Sequence, residues 1–330
     1  MFTESITKYT NVVEAIKALE PSHLLGECLE RDGVLVNYQR FDALTMPDGR
    51  TAFLCNTGKP FYYRGESRVY PSCKPTLYRI KQREDQICAL AKTYEFMCFL
   101  ETLLEVQYYL HNNLWYEPWA IAQHYEFATP MIDLANELAV AVFFATHFYD
   151  PVTRGYRIAN EGVGQIRAYY DIWLGLEETP LRPIGVQPFS RPSNQLGYGL
   201  WLDEEDDFAD HSKVVQFEQD YEVNLKVDRS VAGGESKYFP NERITQMATL
   251  ISKENVVTNK AIDRFVEDIA KGASFIHPEP DRDEIVKVLD DAGVYITDAP
   301  VVCEQSAPMY PRIFRIERPL VRKPCYTGEM

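Results

Sequence analysis

Apolar residues recur along this chain in two periods, near 3.6 and near 2, and together they predict a mixed α and β fold. Ile6, Val13, Ala15, Ile16 and Leu19 lie near helical spacing, which predicts a helix over 5–19 that Pro21 ends. Residues 33–41 alternate like a strand, MPDG at 46–49 reads as a turn, and 51–55 and 60–64 read as short strands. The longest helical pattern covers 84–112. Ile87, Leu90, Ala91, Tyr94, Met97, Cys98, Leu104 and Tyr108 form its stripe. Glu101 interrupts that stripe, either buried opposite Arg64 or Arg79 or lying at the stripe's edge.

Residues 117–125 predict a short helix with Pro near its start. Residues 133–148 predict a compact apolar helix with Asp133 as its N-cap. Residues 163–173 alternate like a central strand. The stretch 175–212, rich in Pro and Gly, reads as loop, with the acidic run 203–207 solvated. Residues 214–227 alternate again as one or two strands. Helices are predicted over 240–254, 259–272 and 281–292, and 300–330 reads as an extended tail. There is no internal repeat.

The chain has 330 residues, 45% hydrophobic and 25% charged, enough to bury a core without disulfides or metals. Its formal net charge of −15 disfavours general binding to nucleic acid or to an anionic membrane. The segment from Lys59 to Arg83 departs from this balance. Lys59, Arg64, Arg68, Lys74, Arg79, Lys81 and Arg83 face only Glu66 there, which makes either a local site for an anion or a set of ion-pair partners. Seven Cys with no C-x-x-C suggest reduced, cytoplasmic usage. The first residues lack the basic and apolar regions of a signal peptide, and no apolar run is long enough to span a bilayer.

Common chemistry-bearing motifs are absent: no G-x-G-x-x-G, Walker loop, G-x-S-x-G or His/Cys metal cluster occurs. What stands out instead is FYYRGES at 61–67, followed by Pro71, Ser72, Leu77, Tyr78 and Arg79. Gln123-His124-Tyr125 then leads to Asp133 and the apolar helix, and Arg191, Gln195 and Gly197 stand in the order Arg, three residues, Gln, one residue, Gly. Together these segments resemble the FRG-domain family over roughly residues 50–205. One position departs from it, because the family's Arg before the Asp is replaced by Met131.

The family resemblance extends more distantly to ADP-ribosyltransferases, and it implies an NAD site with NAD as substrate and no metal. It implies that Arg64, Gly65, Tyr63, Gln123, Tyr125 and Asp133 bind the dinucleotide. Arg64, His124 and either Gln195 or Glu218 would carry catalysis. Glu218 competes because Gln216-Phe217-Glu218 fits the Gln-x-Glu of such transferases. Each residue also has a plain structural reading: Arg64 in an ion pair, His124 in the core, Asp133 as a cap and the tyrosines in packing.

The resemblance further implies a bacterial toxin or antiphage effector. Its acceptor, protein or nucleic acid, and any inhibitory partner protein stay open. The alternative is a module that binds a nucleotide or a protein without chemistry. The expected fold is α+β: a compact, twisted, mostly antiparallel sheet flanked by helices. The expected division is a lead-in over 1–50, the FRG-like domain over 51–230 and a helical extension over 231–330.

Overall fold

A computed structural model describes residues 6–19, 41–46, 48–55, 61–150, 152–153, 155–170, 181–195, 197–230, 234–240 and 242–300. Residues 33–40 of the strand expected over 33–41, and residues 301–330 of the tail expected over 300–330, lie outside the described residues.

The described residues open with β1 (Thr7–Tyr9) and α1 (Val12–Leu19), where the sequence pattern predicts one helix. Asn11 sets the boundary: its Oδ1 accepts from the backbone N–H groups of Val13 at 3.0 Å and Glu14 at 3.2 Å, an N-cap that starts the helix late. A hairpin of β2 (Phe41–Thr45) and β3 (Thr51–Cys55) precedes β4 (Phe61–Glu66). The long helix is two, α2 (Arg83–Leu100) and α3 (Leu104–His111). Between them the Thr102 hydroxyl and N–H both donate to the Phe99 carbonyl, which closes α2, and Leu103 is extended. Glu101 at this break pairs with Arg264 at 2.7 Å, not with Arg64 or Arg79.

Next come α4 (Pro118–His124), β5 (Met131–Ala135) and α5 (Leu138–Thr146). Asp133 is therefore in the middle of a strand and caps no helix. The pair β6 (His147–Asp150) and β7 (Gly155–Ile158) leads into β8 (Val163–Tyr170). The stretch expected as loop contains β9 (Leu181–Pro183), α6 (Ser190–Gln195), β10 (Gly197–Trp201) and α7 (Phe208–His211). Pro183 is tolerated because β9 is a sheet edge. Residues 213–230 form the strand β11 (Lys213–Glu218) and then the helix α8 (Tyr221–Ser230), not two strands. Asp220 makes the switch, its Oδ1 accepting from Val223 N at 3.1 Å. The remainder is α9 (Gly234–Tyr238), α10 (Arg243–Lys253), β12 (Val256–Thr258), α11 (Asn259–Ala270), α12 (Arg282–Asp291) and β13 (Tyr295–Thr297), with β12 and β13 paired in parallel.

The main sheet has seven strands in the order β1-β11-β8-β4-β5-β10-β9. Only β1 and β11 run parallel; the other neighbours are antiparallel. The fold is thus α+β with a mostly antiparallel sheet flanked by helices. On one face, α1 and the apolar α5 pack over Tyr63, Ile166, Val215 and Phe217. The opposite face carries a second core around Tyr62, Leu134, Tyr198 and Phe208. Helices α2, α4, α11 and α12 share a third core, in which Tyr94 stacks on Phe265 with ring centroids 4.9 Å apart.

The sheet is split near its middle. β4 pairs with β8 from Phe61 to Glu66, but with β5 only at Tyr63 opposite Ala135. Continuing that register would pair Arg64 with Leu134 and Gly65 with Asp133, and those pairs are not made.

Candidate functional site

A cavity of about 250 Å³ opens at this split. Tyr63, Arg64 and Gly65 of β4 line it, with Asp133, Leu134 and Ala135 of β5 and Val140, Ala141 and Phe144 of α5. Gln123 and His124 come from α4, Arg191 and Gln195 from α6, and Gly197 from β10. The sequence motifs, up to 134 residues apart from Tyr63 to Gly197, therefore meet at one place.

Local structure explains how each is delivered. Glu117 and Pro118 start α4, with the Glu117 carboxylate accepting from Trp119 N at 3.3 Å. The helix stops at Tyr125, and Glu126 turns the chain in the left-handed region at φ 72°. Gln123 and His124 thus sit on its last turn, at the cavity. Gln123 accepts hydrogen bonds from the hydroxyls of Thr76 and Thr129, so its amide ties α4 to the segment before β5. Glu242 holds α6 in place: its carboxylate accepts from Ser190 N at 2.7 Å, Arg191 N at 3.2 Å and the Tyr125 hydroxyl at 2.7 Å.

Arg64 bridges the split. Its Nη1 donates to the Asp133 main-chain oxygen at 3.1 Å, and its Nε lies 3.6 Å from Glu66 Oε1. Burial opposes the charge on Arg64, but Cys73, Glu66 and Asp133 outweigh burial, so the guanidinium stays charged. Arg191 is buried. Its Nη1 donates to the His124 carbonyl at 2.7 Å, and its guanidinium carbon lies 4.9 Å from the Tyr125 ring centre and 5.0 Å from that of Phe239.

Among the described residues that line this cavity, four buried side-chain atoms make no hydrogen bond: Arg64 Nε, which has its ion pair with Glu66 instead, and His124 Nε2, Asp133 Oδ1 and Arg191 Nε. Buried polar groups are nearly always paired, and leaving one unpaired costs about 1–3 kcal/mol. The other three together, an imidazole nitrogen, a carboxylate oxygen and a cationic donor, describe a place prepared for a polar ligand. Burial pushes His124 below its usual pKa; Arg191 acts the same way and Asp133 opposes both. The imidazole is therefore neutral at pH 7.

The remaining predicted residues divide. Gln195 lines the cavity, with its Nε2 bound to the Tyr238 carbonyl at 3.1 Å. Glu218 is exposed at the end of β11 and does not line the cavity. By strand register it stands two strands away and four residues past the level of Arg64, roughly 13 Å along the strand. Tyr63 contributes to the wall and to the core beneath α5. Tyr125 lies behind the cavity as the platform for Arg191.

Gly65 serves packing: a Cβ there would stand 1.7 Å from the Ala141 carbonyl oxygen, so only glycine lets α5 sit this close to β4. Met131, at the family's Arg position, does not line the cavity and is buried in the core shared by α2 and α4. Of the basic segment, Arg83 pairs with Glu284, Arg79 donates to the Lys74 carbonyl and Lys74 donates to the Glu204 carbonyl, leaving Arg64 as its contribution to the cavity. Phe144, Tyr156 and Phe239 complete the wall and Glu126 lies beside them. No spacing in the sequence singles these four out.

Residues 59–152 match the family model of the FRG domain. The chain carries an FRG domain. That match contains Arg64, Gln123, His124 and Asp133 and ends before Arg191, Gln195 and Gly197, which the fold adds to the FRG domain's cavity. No curated protein and no solved structure shows a significant match to the chain. Among the described residues, no helix is long and apolar enough to cross a membrane.

Proposed function

We propose that the cavity binds NAD and that the chain transfers ADP-ribose from it to an acceptor, or to water as an NAD glycohydrolase. The observation that carries this reading is the convergence of the Arg64 guanidinium, the unbonded Arg191 Nε and Asp133 Oδ1, and neutral His124 on one small cavity. Guanidinium groups suit the pyrophosphate, which they grip through paired N–H donors. A carboxylate suits the nicotinamide ribose, where positive charge develops as the glycosidic bond breaks.

In the step itself, the bond between the ribose anomeric carbon and the nicotinamide nitrogen breaks, and its electron pair stays on nicotinamide. That pair neutralises the pyridinium charge. An acceptor oxygen or nitrogen forms the new bond to the anomeric carbon and gives up a proton, for which His124 Nε2 is the available base. Asp133 compensates the developing charge, and the Gln195 Oε1 accepts from a ribose hydroxyl. A toxin or antiphage setting would supply a protein or nucleic-acid acceptor.

The test is release of nicotinamide from NAD by the purified protein, followed by chromatography beside Arg64→Ala. Release by the parent and loss in the variant supports the reading. Equal release from both, with the variant folded, refutes the assigned role of Arg64. One observation favours a second reading, a non-catalytic nucleotide-binding module: the third position is an amide, Gln195, while Glu218 lies outside. That reading expects NAD to raise the melting temperature with no nicotinamide released.

A further inference from the structure

We infer that the ligand is two-lobed, with its reactive end in the inner cavity, its anionic waist at Arg191 and an adenosine end in an adjoining cleft walled by α10. This rests on the NAD reading and adds where the second half of the molecule lies.

The inner cavity, at about 250 Å³, falls below the roughly 300–1,000 Å³ typical of small-molecule sites. A second cleft of about 480 Å³ adjoins it, and Glu126, Tyr156, Arg191 and Phe239 line both. Arg191 stands at the junction. It is only 8% exposed, it is held between the rings of Tyr125 and Phe239, and its Nε has no partner. A buried cation with a free donor at the neck between two spaces suits a phosphate that joins two halves.

The cleft beyond has a different chemistry. Tyr156 stacks on Phe239 at 4.2 Å, and Tyr149, 44% exposed, meets Tyr156 at 5.6 Å, giving aromatic surface on which a flat base stacks. Opposite, on α10, the buried Thr245 Oγ1 lacks a partner and is free to bond a ring nitrogen or an amino group. Beyond Arg191 the charged residues lining the cleft are Glu126, Glu235 and Lys253, so carboxylates outnumber cations there, which favours the uncharged base in the cleft and the phosphate at Arg191. The groups suited to breaking the glycosidic bond, His124 and Asp133, are in the inner cavity, which fixes the polarity of the ligand: nicotinamide inward, adenosine outward.

The test is calorimetric titration of the full-length protein with ADP-ribose, with nicotinamide mononucleotide and with NAD, using Thr249→Trp to fill the cleft from α10 and Thr245→Val to remove the hydroxyl. Thr249→Trp is expected to weaken ADP-ribose by about tenfold or more while nicotinamide mononucleotide changes less than about twofold. Thr245→Val is expected to weaken ADP-ribose by about three- to tenfold. If Thr249→Trp does not fold, Thr245→Val decides. Unchanged ADP-ribose affinity, or equal loss of both ligands, overturns the two-lobed assignment and leaves the NAD reading standing. If the native protein binds none of the three compounds, the NAD reading falls and this assignment falls with it.

Discussion

Arg64 Nη1 donates to the main-chain oxygen of Asp133 at 3.1 Å, across the gap where β4 and β5 stop pairing. A side chain thus stands where a sheet hydrogen bond is missing. The other side of the guanidinium is set by Glu66, whose buried carboxylate also accepts from Gln165 Nε2 at 2.6 Å, Arg167 Nε at 3.2 Å and the Cys73 thiol at 3.5 Å. Burial pushes the Cys73 thiol above its usual pKa, against the pull of Arg64, so it donates as a neutral group. The cavity's principal cation is held from behind by a buried polar network on the far face of the sheet.

Replacing the fork by a point charge separates positioning from charge. Arg64→Lys is expected to lower nicotinamide release by about a hundredfold while the far-UV circular dichroism stays native, because one ammonium cannot span the split and grip phosphate together. Glu66→Gln leaves Arg167 buried without its partner, and urea unfolding should report a loss of about 3 kcal/mol. Full activity in Arg64→Lys would assign the residue a structural charge only.

Two glycines make opposite predictions. Gly65→Ala drives a methyl against the backbone of α5, which has no flexible end to yield, so thermal unfolding should show a loss of about 3 kcal/mol or more. Gly197→Ala meets the Ile184 Cδ1 at 3.1 Å, which can move, and stands 3.8 Å from His124 Nε2. It should lower the melting temperature little and weaken NAD binding instead. The reverse ranking would remove Gly197 from the ligand's path.

The choice between Gln195 and Glu218 is likewise testable. Gln195 lines the cavity and Glu218 does not, so Gln195→Ala should reduce nicotinamide release by about tenfold or more and Glu218→Ala should leave it within about twofold. A large loss in Glu218→Ala would place the reacting ribose outside this cavity.

Much of this site was legible because its polar residues lie in recognisable short segments: Tyr63-Arg64-Gly65, Gln123-His124 and Arg191 with Gln195 and Gly197. The fold class followed from alternating periods in the same way. What was not legible depended on distant contacts. Asp133 looked like a cap because an apolar helix follows it, yet β10 pairs with 131–135 and draws that segment into the sheet. The loop assigned to 175–212 hid two strands whose Gly and Pro are tolerated, since Pro183 lies at an edge and Gly199 leaves room for Met131. Phe239 and Tyr156 carry no motif and reach the cavity only through tertiary packing with Arg191 and one another.

Glu117 gives a stability test independent of any ligand. It caps α4, is 7% exposed and has its pKa pushed up to about 7 by burial, against the opposing pull of the Trp119 N–H and of Arg182 and Arg50. The folded state therefore holds this proton more tightly than the unfolded chain. Its contribution is fully present below about pH 4.5, is lost as pH rises toward 7 and stays absent above that, a difference of about 3 kcal/mol. His124 runs the other way, since its depressed pKa removes stability as pH falls below about 6.5. Comparing the parent with Glu117→Gln isolates the carboxyl, because the amide oxygen still accepts from Trp119 N and carries no charge. Urea unfolding at pH 5 and pH 8 should show the variant gaining stability over the parent at pH 8 and little or nothing at pH 5. The same difference at both values would mean that Glu117 is already ionised across this range and that its burial in the cap is relieved by solvent.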